Sequence, residues 1–309
     1  MQSKGKVVIV GVCDVEGSTN VYMAKAFELL GYEVVPCNYR SILQKYGPVT
    51  LKNVLYKLSE DKPSLMLFSK FNGCDSSIIA KCSLNCKTWL WFMDGLKTLS
   101  TLPEIIEHAN MADYISCTGL GVANHIRKQT GANVHHILEG IDPEVYRPTI
   151  KFPHYEADIS FIGTVSQERL GYLQTLTNAG INAKAYGNGF NEEVHGNTFN
   201  MICSSSTSML ALSVEHETLE YFSDRVLRLG ACGAFVFHKY APKMEKYFVD
   251  AQDLVYFDSQ ESLVEAIKFY SQPENTELRM QIANNLRNKI LSNYTWAHTI
   301  QKIIDIAEI

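Results

Sequence analysis

Residues 223–237 read Ser-Asp-Arg-Val-Leu-Arg-Leu-Gly-Ala-Cys-Gly-Ala-Phe-Val-Phe. A polar pair opens an apolar-periodic run, a glycine ends it, and an apolar segment follows, which is typical of a short helix feeding a buried strand. Ser223 and Asp224 are N-cap candidates, and the backbone N–H groups of a first helical turn favour an anion. Arg225 adds a guanidinium whose fork matches phosphate oxygens. An ordinary capped helix that leads into a buried strand explains this stretch equally well. The rest of the chain must decide between that interpretation and an anion-binding site.

The chain on both sides of this stretch alternates between apolar strands and amphipathic helices. At the start, the β-branched run at 6–12 predicts a strand buried on both faces, and a helix at 21–30 follows it and ends at Gly31. Further strands are predicted at 32–37, 64–69, 88–93, 113–117, 134–138, 158–162, 182–186, 209–214 and 254–257. Further helices are predicted at 51–59, 76–82, 103–110, 121–129, 169–178, 199–203, 262–270 and 277–293. This alternation predicts doubly wound parallel sheets of the α/β class.

A turn-rich segment without periodicity interrupts the alternation near residues 139–153. We therefore predict a Rossmann-like domain at 1–145, a linker at 146–156 and a second Rossmann-like domain at 157–309. Two such domains facing each other would leave a cleft between the carboxyl ends of their strands.

Composition sets few limits on function. The 309 residues are 46% hydrophobic and 20% charged with a net charge of −5, which is typical of a globular protein without a general basic field for nucleic acid. The apolar run near the N-terminus is too short for a signal segment, and no run reaches a membrane span, so a cytoplasmic protein is expected. The eight cysteines lack the paired spacing of a zinc site, so reduced thiols and no metal are expected.

Ligands of open α/β sheets bind outside the carboxyl ends of the strands, which selects the candidate binding residues. Glycines there let backbone approach a phosphate, and arginines neutralise it, a combination that suits a nucleoside diphosphate. In the second domain the candidates are Gly163, Thr164, Arg169, Tyr186, Gly187, His216, Ser223, Asp224 and Arg225.

In the first domain the candidates are acids. The loop after the first strand lacks the G-x-G-x-x-G spacing and carries Asp14 and Glu16, which disfavours NAD there. Asp14, together with Asp94 after an aromatic strand, is suited to accept a proton or to hold a hydroxyl. A helix cap or a turn acid is the alternative role for each of these residues.

Several of these segments together resemble one family. Ile159–Thr164, Glu168–Arg169, Ala185–Gly187, Tyr221–Val226 and Gly233–Phe235 resemble the CgeB-like glycosyltransferases, which have the GT-B fold. The resemblance covers residues 157–305 and is only architectural over the first domain. One departure is plain, because many GT-B enzymes have two glutamates eight residues apart where this chain has Glu220 and Arg228.

The resemblance implies a metal-independent hexosyltransferase without a cofactor. The C-terminal domain would hold a nucleoside diphosphate sugar, with a UDP-sugar favoured, and the N-terminal domain would hold an acceptor hydroxyl. In an inverting enzyme Asp14 or Asp94 would deprotonate the acceptor; in a retaining enzyme the same acids would only position it.

Other readings of the chain stay open. The acceptor could be a saccharide, a protein side chain or a hydroxymethylated DNA base, and the last needs a basic face around Arg40, Lys52 and Lys57. A noncatalytic nucleotide-sugar binding protein, suggested by Arg228, and a GT-B sugar epimerase are the alternatives to a transferase.

Overall fold

The computed structural model describes residues 3–191 and 194–309. By its internal contacts the chain divides into two compact units. The first contains the chain up to Gly140 with residues 218–221 and 296–309, and the second contains residues 141–217 and 222–295. Residues 296–309 thus fold with the first unit, whereas the sequence pattern had grouped them with the second half of the chain.

The first unit is built on one parallel sheet with the strand order β2-β1-β3-β4-β5-β6. Its strands are β1 (Lys6–Val10), β2 (Glu33–Cys37), β3 (Leu65–Ser69), β4 (Lys87–Phe92), β5 (Tyr114–Cys117) and β6 (Val134–His136). Its helices are α1 (Thr19–Leu29), α2 (Tyr39–Glu60), α3 (Ser77–Cys82), α4 (Leu96–Leu99), α5 (Glu104–Met111) and α6 (Leu120–Thr130). Helices cover the sheet, so β3 is buried at every position, as the apolar runs predicted.

The second unit has a parallel sheet with the order β11-β10-β9-β7-β8. Its strands are β7 (Ala157–Ile162), β8 (Ala183–Tyr186), β9 (Ser206–Ala211), β10 (Val236–Lys239) and β11 (Val255–Phe257). Its helices are α7 (Gln167–Asn178), α8 (Gly196–Ser205), α9 (Arg225–Ala231), α10 (Gln260–Tyr270) and α11 (Thr276–Asn293), and 3₁₀ turns lie at Pro153–Tyr155, Met244–Lys246 and Pro273–Asn275. The chain reverses direction across this sheet between β7 and β9. The predicted fold class, α/β with two doubly wound sheets, is confirmed.

The last helix, α12 (Trp296–Ala307), packs against α1 in the first unit. Trp296 lies 6.0 Å from Trp91 between ring centroids, and the Thr299 hydroxyl donates to the Leu138 carbonyl at 3.1 Å. Its apolar stripe is buried in this way, which explains why the end of the chain belongs to the first unit.

Local differences from the predicted elements have local causes. Gly31, with φ of +95°, follows the end of α1 as predicted. Helix α2 begins at Tyr39, well before the predicted helix at 51–59, with the Asn38 side chain capping its first turn. It is kinked at Gly47, where φ is +81° and Pro48 follows. Strand β9 runs over Ser206–Ala211, so residues 212–214, predicted as its end, form the loop that follows it. Among the described residues, no helix is long and apolar enough to cross a membrane.

Candidate functional site

The reversal of strand order between β7 and β9 marks the place where a doubly wound sheet leaves a crevice for ligands. Close to this point a pocket of about 160 Å³ opens in the second unit. It is lined by Ile162, Gly163, Thr164, Gly187, Asn188, Val194, His195, Phe199, Asp224, Arg225 and Arg228. The pocket therefore gathers five of the predicted candidates: Gly163, Thr164, Gly187, Asp224 and Arg225.

Arg225 is fixed in place by the ends of two strands. Its Nε donates to the Ile162 carbonyl at 2.7 Å, and its Nη1 donates to the Leu212 carbonyl at 2.5 Å. Nη1 also donates to the Ser223 hydroxyl at 3.2 Å. The guanidinium thus bridges β7 and the loop after β9, and its positive charge is held at the pocket wall with little freedom to move.

Arg169 is a second bridge across the same reversal. Its side chain is buried, and it donates to the carbonyls of Thr164 at 2.6 Å and Leu212 at 3.2 Å. Both guanidiniums also lie over the Phe161 ring, at 5.1 Å for Arg169 and 5.2 Å for Arg225. Arg169 does not line the pocket; it lies behind the pocket wall and holds the Thr164 carbonyl that precedes α7.

Glycine is required where the loops after β7 and β8 run side by side. The Gly163 N–H donates to the Tyr186 carbonyl at 2.9 Å, and the Val165 N–H donates to the Asn188 carbonyl at 2.8 Å. Gly187 has φ of +110°, and a Cβ at this position would lie 2.6 Å from the Gly163 carbonyl oxygen. Only glycine tolerates both restrictions. Tyr186 itself is buried beneath the pocket.

Helix α9 begins at the pocket with Asp224 as its N-cap residue, but the Asp224 side chain accepts no capping hydrogen bond. Asp224 thus occupies the predicted N-cap position, without a side-chain capping bond. Asp224 has helical dihedral angles (φ −54°, ψ −13°), and its carboxylate forms an ion pair with Arg228 one turn later. Arg228 in turn lies 5.3 Å above the Tyr146 ring. Sequence reasoning singled out Arg228 only as a departure from a family pattern, yet the structure places it in the pocket wall.

Other pocket residues escaped sequence reasoning because they come from a loop without a motif. Val194 and His195 precede α8, and His195 is its N-cap residue. Phe199 lies in the first turns of the same helix, and Asn188 follows the turn at Gly187. The Gly-Asn-Gly run after β8 was the only available signal for Asn188.

His216 lies outside this pocket wall, although it was predicted to be a donor-binding residue. It is 6% exposed, and neither ring nitrogen has a hydrogen-bond partner within the part of the chain that the structure describes. Its ring packs edge-to-face against His238 of β10 at 6.2 Å. Burial and the nearby Lys239 lower the pKa of His216 to about 4. Burial lowers the pKa of His238 to about 3, so both rings are neutral near pH 7.

In the first unit, Asp14 lies in the exposed loop after β1. The Asn38 amide donates to its Oδ1, and the Ser41 hydroxyl lies 3.5 Å from its Oδ2. Strand order reverses between β1 and β3, so this loop lies at the ligand-binding crevice expected for the first sheet. Asp14 therefore lies in the loop at the strand reversal of the first sheet.

Asp94 follows β4 and is half-buried in an ion pair. Its Oδ2 lies 2.5 Å from the Lys70 ammonium. Lys70 and Phe71 after β3 both have left-handed backbone, with φ of +60° and +58°. The Lys70 N–H donates to the Trp91 carbonyl at 2.9 Å, which ties this unusual turn to β4 next to Asp94.

The basic residues considered for DNA do not form one face. Arg40 donates to the Tyr39 hydroxyl at 3.2 Å and to the Asn72 amide oxygen at 3.1 Å. The kink at Gly47 separates it from the other two. Lys52 and Lys57 are five positions apart on α2, or ~140° around a helix. Lys52 and Lys57 therefore lie on different faces of α2.

Neither metal chemistry nor thiol chemistry has an evident centre among the described residues. No cluster of three or more His, Cys, Asp or Glu side chains there could hold a metal ion. All eight cysteines are free, and burial raises the pKa of Cys37 and Cys117 to about 12. Thiols of this kind are unreactive and belong to the core.

Comparison with known proteins supports a glycosyltransferase. Residues 169–305 match the model of a family described as glycosyl transferase-like. The matched segment contains Gly187, Asp224, Arg225 and Arg228 of the pocket. No curated protein sequence matches the chain.

Solved structures match nearly the whole chain at low identity. HepE of Anabaena, crystallised in complex with UDP-glucose, has a TM-score of 0.72 at 10% identity over 98% of this chain and 99% of its own. Sucrose-phosphate synthase of Thermosynechococcus elongatus has a TM-score of 0.69 at 10% identity over 99% of this chain and 98% of its own. A glycosyltransferase of Rickettsia africae has a TM-score of 0.67 at 10% identity over 98% and 97%. The fold shared with these structures is GT-B, and the family model matches less than half of the chain.

Proposed function

We propose that this protein transfers a hexose from a nucleoside diphosphate sugar to an acceptor hydroxyl. The observation that carries the proposal is the pocket beside the strand reversal of the second sheet, where glycine turns and two arginine side chains meet. The CgeB-like resemblance of residues 157–305 remains a prediction consistent with it.

The pocket would hold the diphosphate of the donor. Gly163 and Gly187 keep the loops after β7 and β8 free of side chains, so an oxygen-rich ligand can approach the backbone. Arg225 and Arg228 place positive charge at the wall, and Thr164 adds a hydroxyl. Because Arg225 is fixed by strand carbonyls, it needs little reorganisation as charge develops on the leaving diphosphate. This charge stabilisation works without a cation, which supports a metal-independent reaction.

We take UDP as the favoured nucleotide, supported by the UDP-glucose complex of HepE, whose fold is the same. Where many GT-B enzymes present a glutamate to the ribose, this chain presents Arg228 paired with Asp224. The Asp224 carboxylate is therefore the group that would accept a hydrogen bond from a ribose hydroxyl, and Arg228 would hold that carboxylate in position.

Asp14 and Asp94 would serve different roles toward the acceptor. Taking up a proton would break the ion pair of Asp94 with Lys70, so Asp94 is suited to hold a hydroxyl in position. Asp14 is exposed and accepts hydrogen bonds only from neutral groups, Asn38 and Ser41, so it is the better candidate for a general base. In a retaining reaction both would act by positioning alone.

The acceptor is proposed to be a saccharide or a protein side chain. A hydroxymethylated DNA base would require a continuous basic surface, whereas Lys52 and Lys57 lie ~140° apart around α2.

Donor turnover without acceptor tests the proposal. Purified protein is incubated with UDP, GDP, ADP and TDP sugars, with and without added divalent cation, and free nucleotide and sugar are quantified. A transferase releases nucleoside diphosphate slowly from one donor class without added cation. An isomerised donor indicates an epimerase, and binding without any turnover indicates a noncatalytic binding protein; either result contradicts the proposal.

A further inference from the structure

A second cavity of about 480 Å³ lies in the second unit, at the amino ends of the strands of its sheet. Ser206, the first residue of β9, and Phe235, which precedes β10, are part of its wall. The proposed donor pocket lies at the carboxyl ends of the strands, whereas this cavity lies at their amino ends. Its volume falls within the range of small-molecule sites, about 300–1,000 Å³.

The wall of this cavity is positively charged. Lys151, Arg279 and Arg287 all line it, and the described lining residues include no Asp or Glu. None of these three cations forms an ion pair with any described residue. Positive charges gathered in a concave surface without counter-charges attract and bind anions.

The two arginines are held by backbone carbonyls. Arg279 donates to the carbonyls of Tyr270 and Gln272 and, at 3.1 Å, to the Thr276 hydroxyl. Arg287 donates through Nε to the Ala231 carbonyl at 3.2 Å, and its terminal amino groups have no partner among the described residues. Ordered guanidiniums bind oxyanions that offer several acceptor oxygens, carboxylates and phosphates among them.

Helix α11 adds a second, independent contribution at the cavity wall. Thr276 is the first residue of this 18-residue helix and lines the cavity. The preceding Asn275 side chain accepts no hydrogen bond from the first turn. The Thr276 N–H donates to the Pro273 carbonyl of the preceding 3₁₀ turn, so α11 contributes the positive end of its dipole and the Thr276 hydroxyl to the wall.

We propose that this cavity binds a small phosphate-bearing metabolite, at a site separate from the proposed donor pocket. A phosphate ester offers three oxygens and close to two negative charges, which match the two guanidiniums, Lys151 and the first turn of α11 better than a single carboxylate does. The hydroxyls of Ser204 and Thr207 lie in the same wall and would form hydrogen bonds with the other polar groups of such a molecule.

The test uses pyrophosphate as the probe and hydrogen exchange of the full-length protein as a site-resolved readout. Bound probe should protect peptides covering 203–207 and the start of α11. The double variant Lys151→Gln, Arg287→Gln should weaken the probe's affinity at these peptides at least tenfold, which corresponds to about 1.4 kcal/mol. Lys268→Gln, which removes an exposed lysine of α10 outside the cavity, is the matched control and should leave the affinity unchanged.

The outcomes separate this cavity from the donor pocket. Protection that survives Arg228→Gln and is lost in the double variant supports the proposal. Protection confined to residues 163–164 and 187–188, or equal affinity in the double variant and the control, overturns it. Tighter binding of a hexaglutamate peptide than of pyrophosphate overturns the ligand class. If the double variant fails to fold, Lys151→Gln alone, which changes an exposed side chain, is measured instead and must weaken binding.

Discussion

Replacing His216 with phenylalanine should make the second unit less sensitive to acid. His216 is buried without hydrogen-bond partners in the described chain, and His238, Lys239, Glu168, Glu217 and Arg169 surround it. A phenyl ring keeps the packing and removes two unsatisfied polar atoms, so stability at pH 7.5 should be equal or higher.

The size of the effect follows from the pKa of His216, which falls from 6.5 to about 4 on folding because of burial. As the pH falls below 6.5, the unfolded chain takes up a proton that the folded protein does not, so stability is lost. Between pH 7.5 and pH 5, proton linkage at this residue lowers the free energy of unfolding by about 2 kcal/mol. The equilibrium constant for unfolding therefore rises about thirtyfold. Burial lowers the pKa of His238 more than the neighbouring His216 does, so His238 adds a similar loss in wild type and variant, and their difference reports chiefly on His216.

Hydrogen exchange of peptides from β9 and β10 is the appropriate assay. The tryptophans at 89, 91 and 296 all lie in the first unit, so fluorescence would not report on the second. Protection should fall about thirtyfold more in the wild type than in His216→Phe between the two pH values. His154→Gln, a change at an exposed histidine of the second unit, should behave as the wild type. Equal losses in wild type and His216→Phe would refute the reasoning.

Further predictions concern the proposed donor pocket, the proposed base and two helix glycines. Arg228→Gln should weaken donor binding about tenfold by calorimetry, since a charge-assisted contact contributes roughly 1.5–3 kcal/mol, whereas Arg147→Gln at an exposed position should not. Asp14→Asn should lower turnover about a hundredfold without changing donor affinity, as expected for a lost general base; unchanged turnover would exclude that role. Gly230→Ala should destabilise by about 1–3 kcal/mol in urea, because its Cβ would lie 2.4 Å from Ile290 Cδ1. Gly171→Ala in α7, where the nearest atom is at 3.3 Å, should instead stabilise by about 0.5–1 kcal/mol.

Much of the architecture was readable from the sequence because strands such as β1 and β3 are apolar runs and helices such as α1 and α6 are followed by a glycine. Gly31 after α1 is an example of a signal carried entirely by neighbouring residues. The packing partner of α12 could not be predicted from the sequence. Its apolar stripe indicates that one face of the helix is buried, but it does not indicate against which unit. The early start of α2 was not predicted either: the helix begins at Tyr39 and is kinked at Gly47, ahead of the predicted helix at 51–59.

The candidate site was only partly predictable for a related reason. Gly163, Gly187 and Arg225 could be selected because strand ends are visible in the sequence. The carbonyls that hold Arg169 and Arg225 belong to Leu212, to Ile162 at the end of β7 and to Thr164 after it. This adjacency exists only once β7 pairs with β9. Burial of His216 and the cationic cavity at the amino ends of the strands likewise depend on packing between distant segments.

The measurement that tests the proposed activity most directly is turnover of UDP-sugars by the purified wild-type protein without added metal, followed by release of UDP. Turnover of one UDP-sugar that falls at least tenfold in Arg228→Gln and persists in Arg147→Gln is the predicted result. Absence of turnover in folded protein, with every nucleotide sugar and with or without a cation, would contradict a glycosyltransferase.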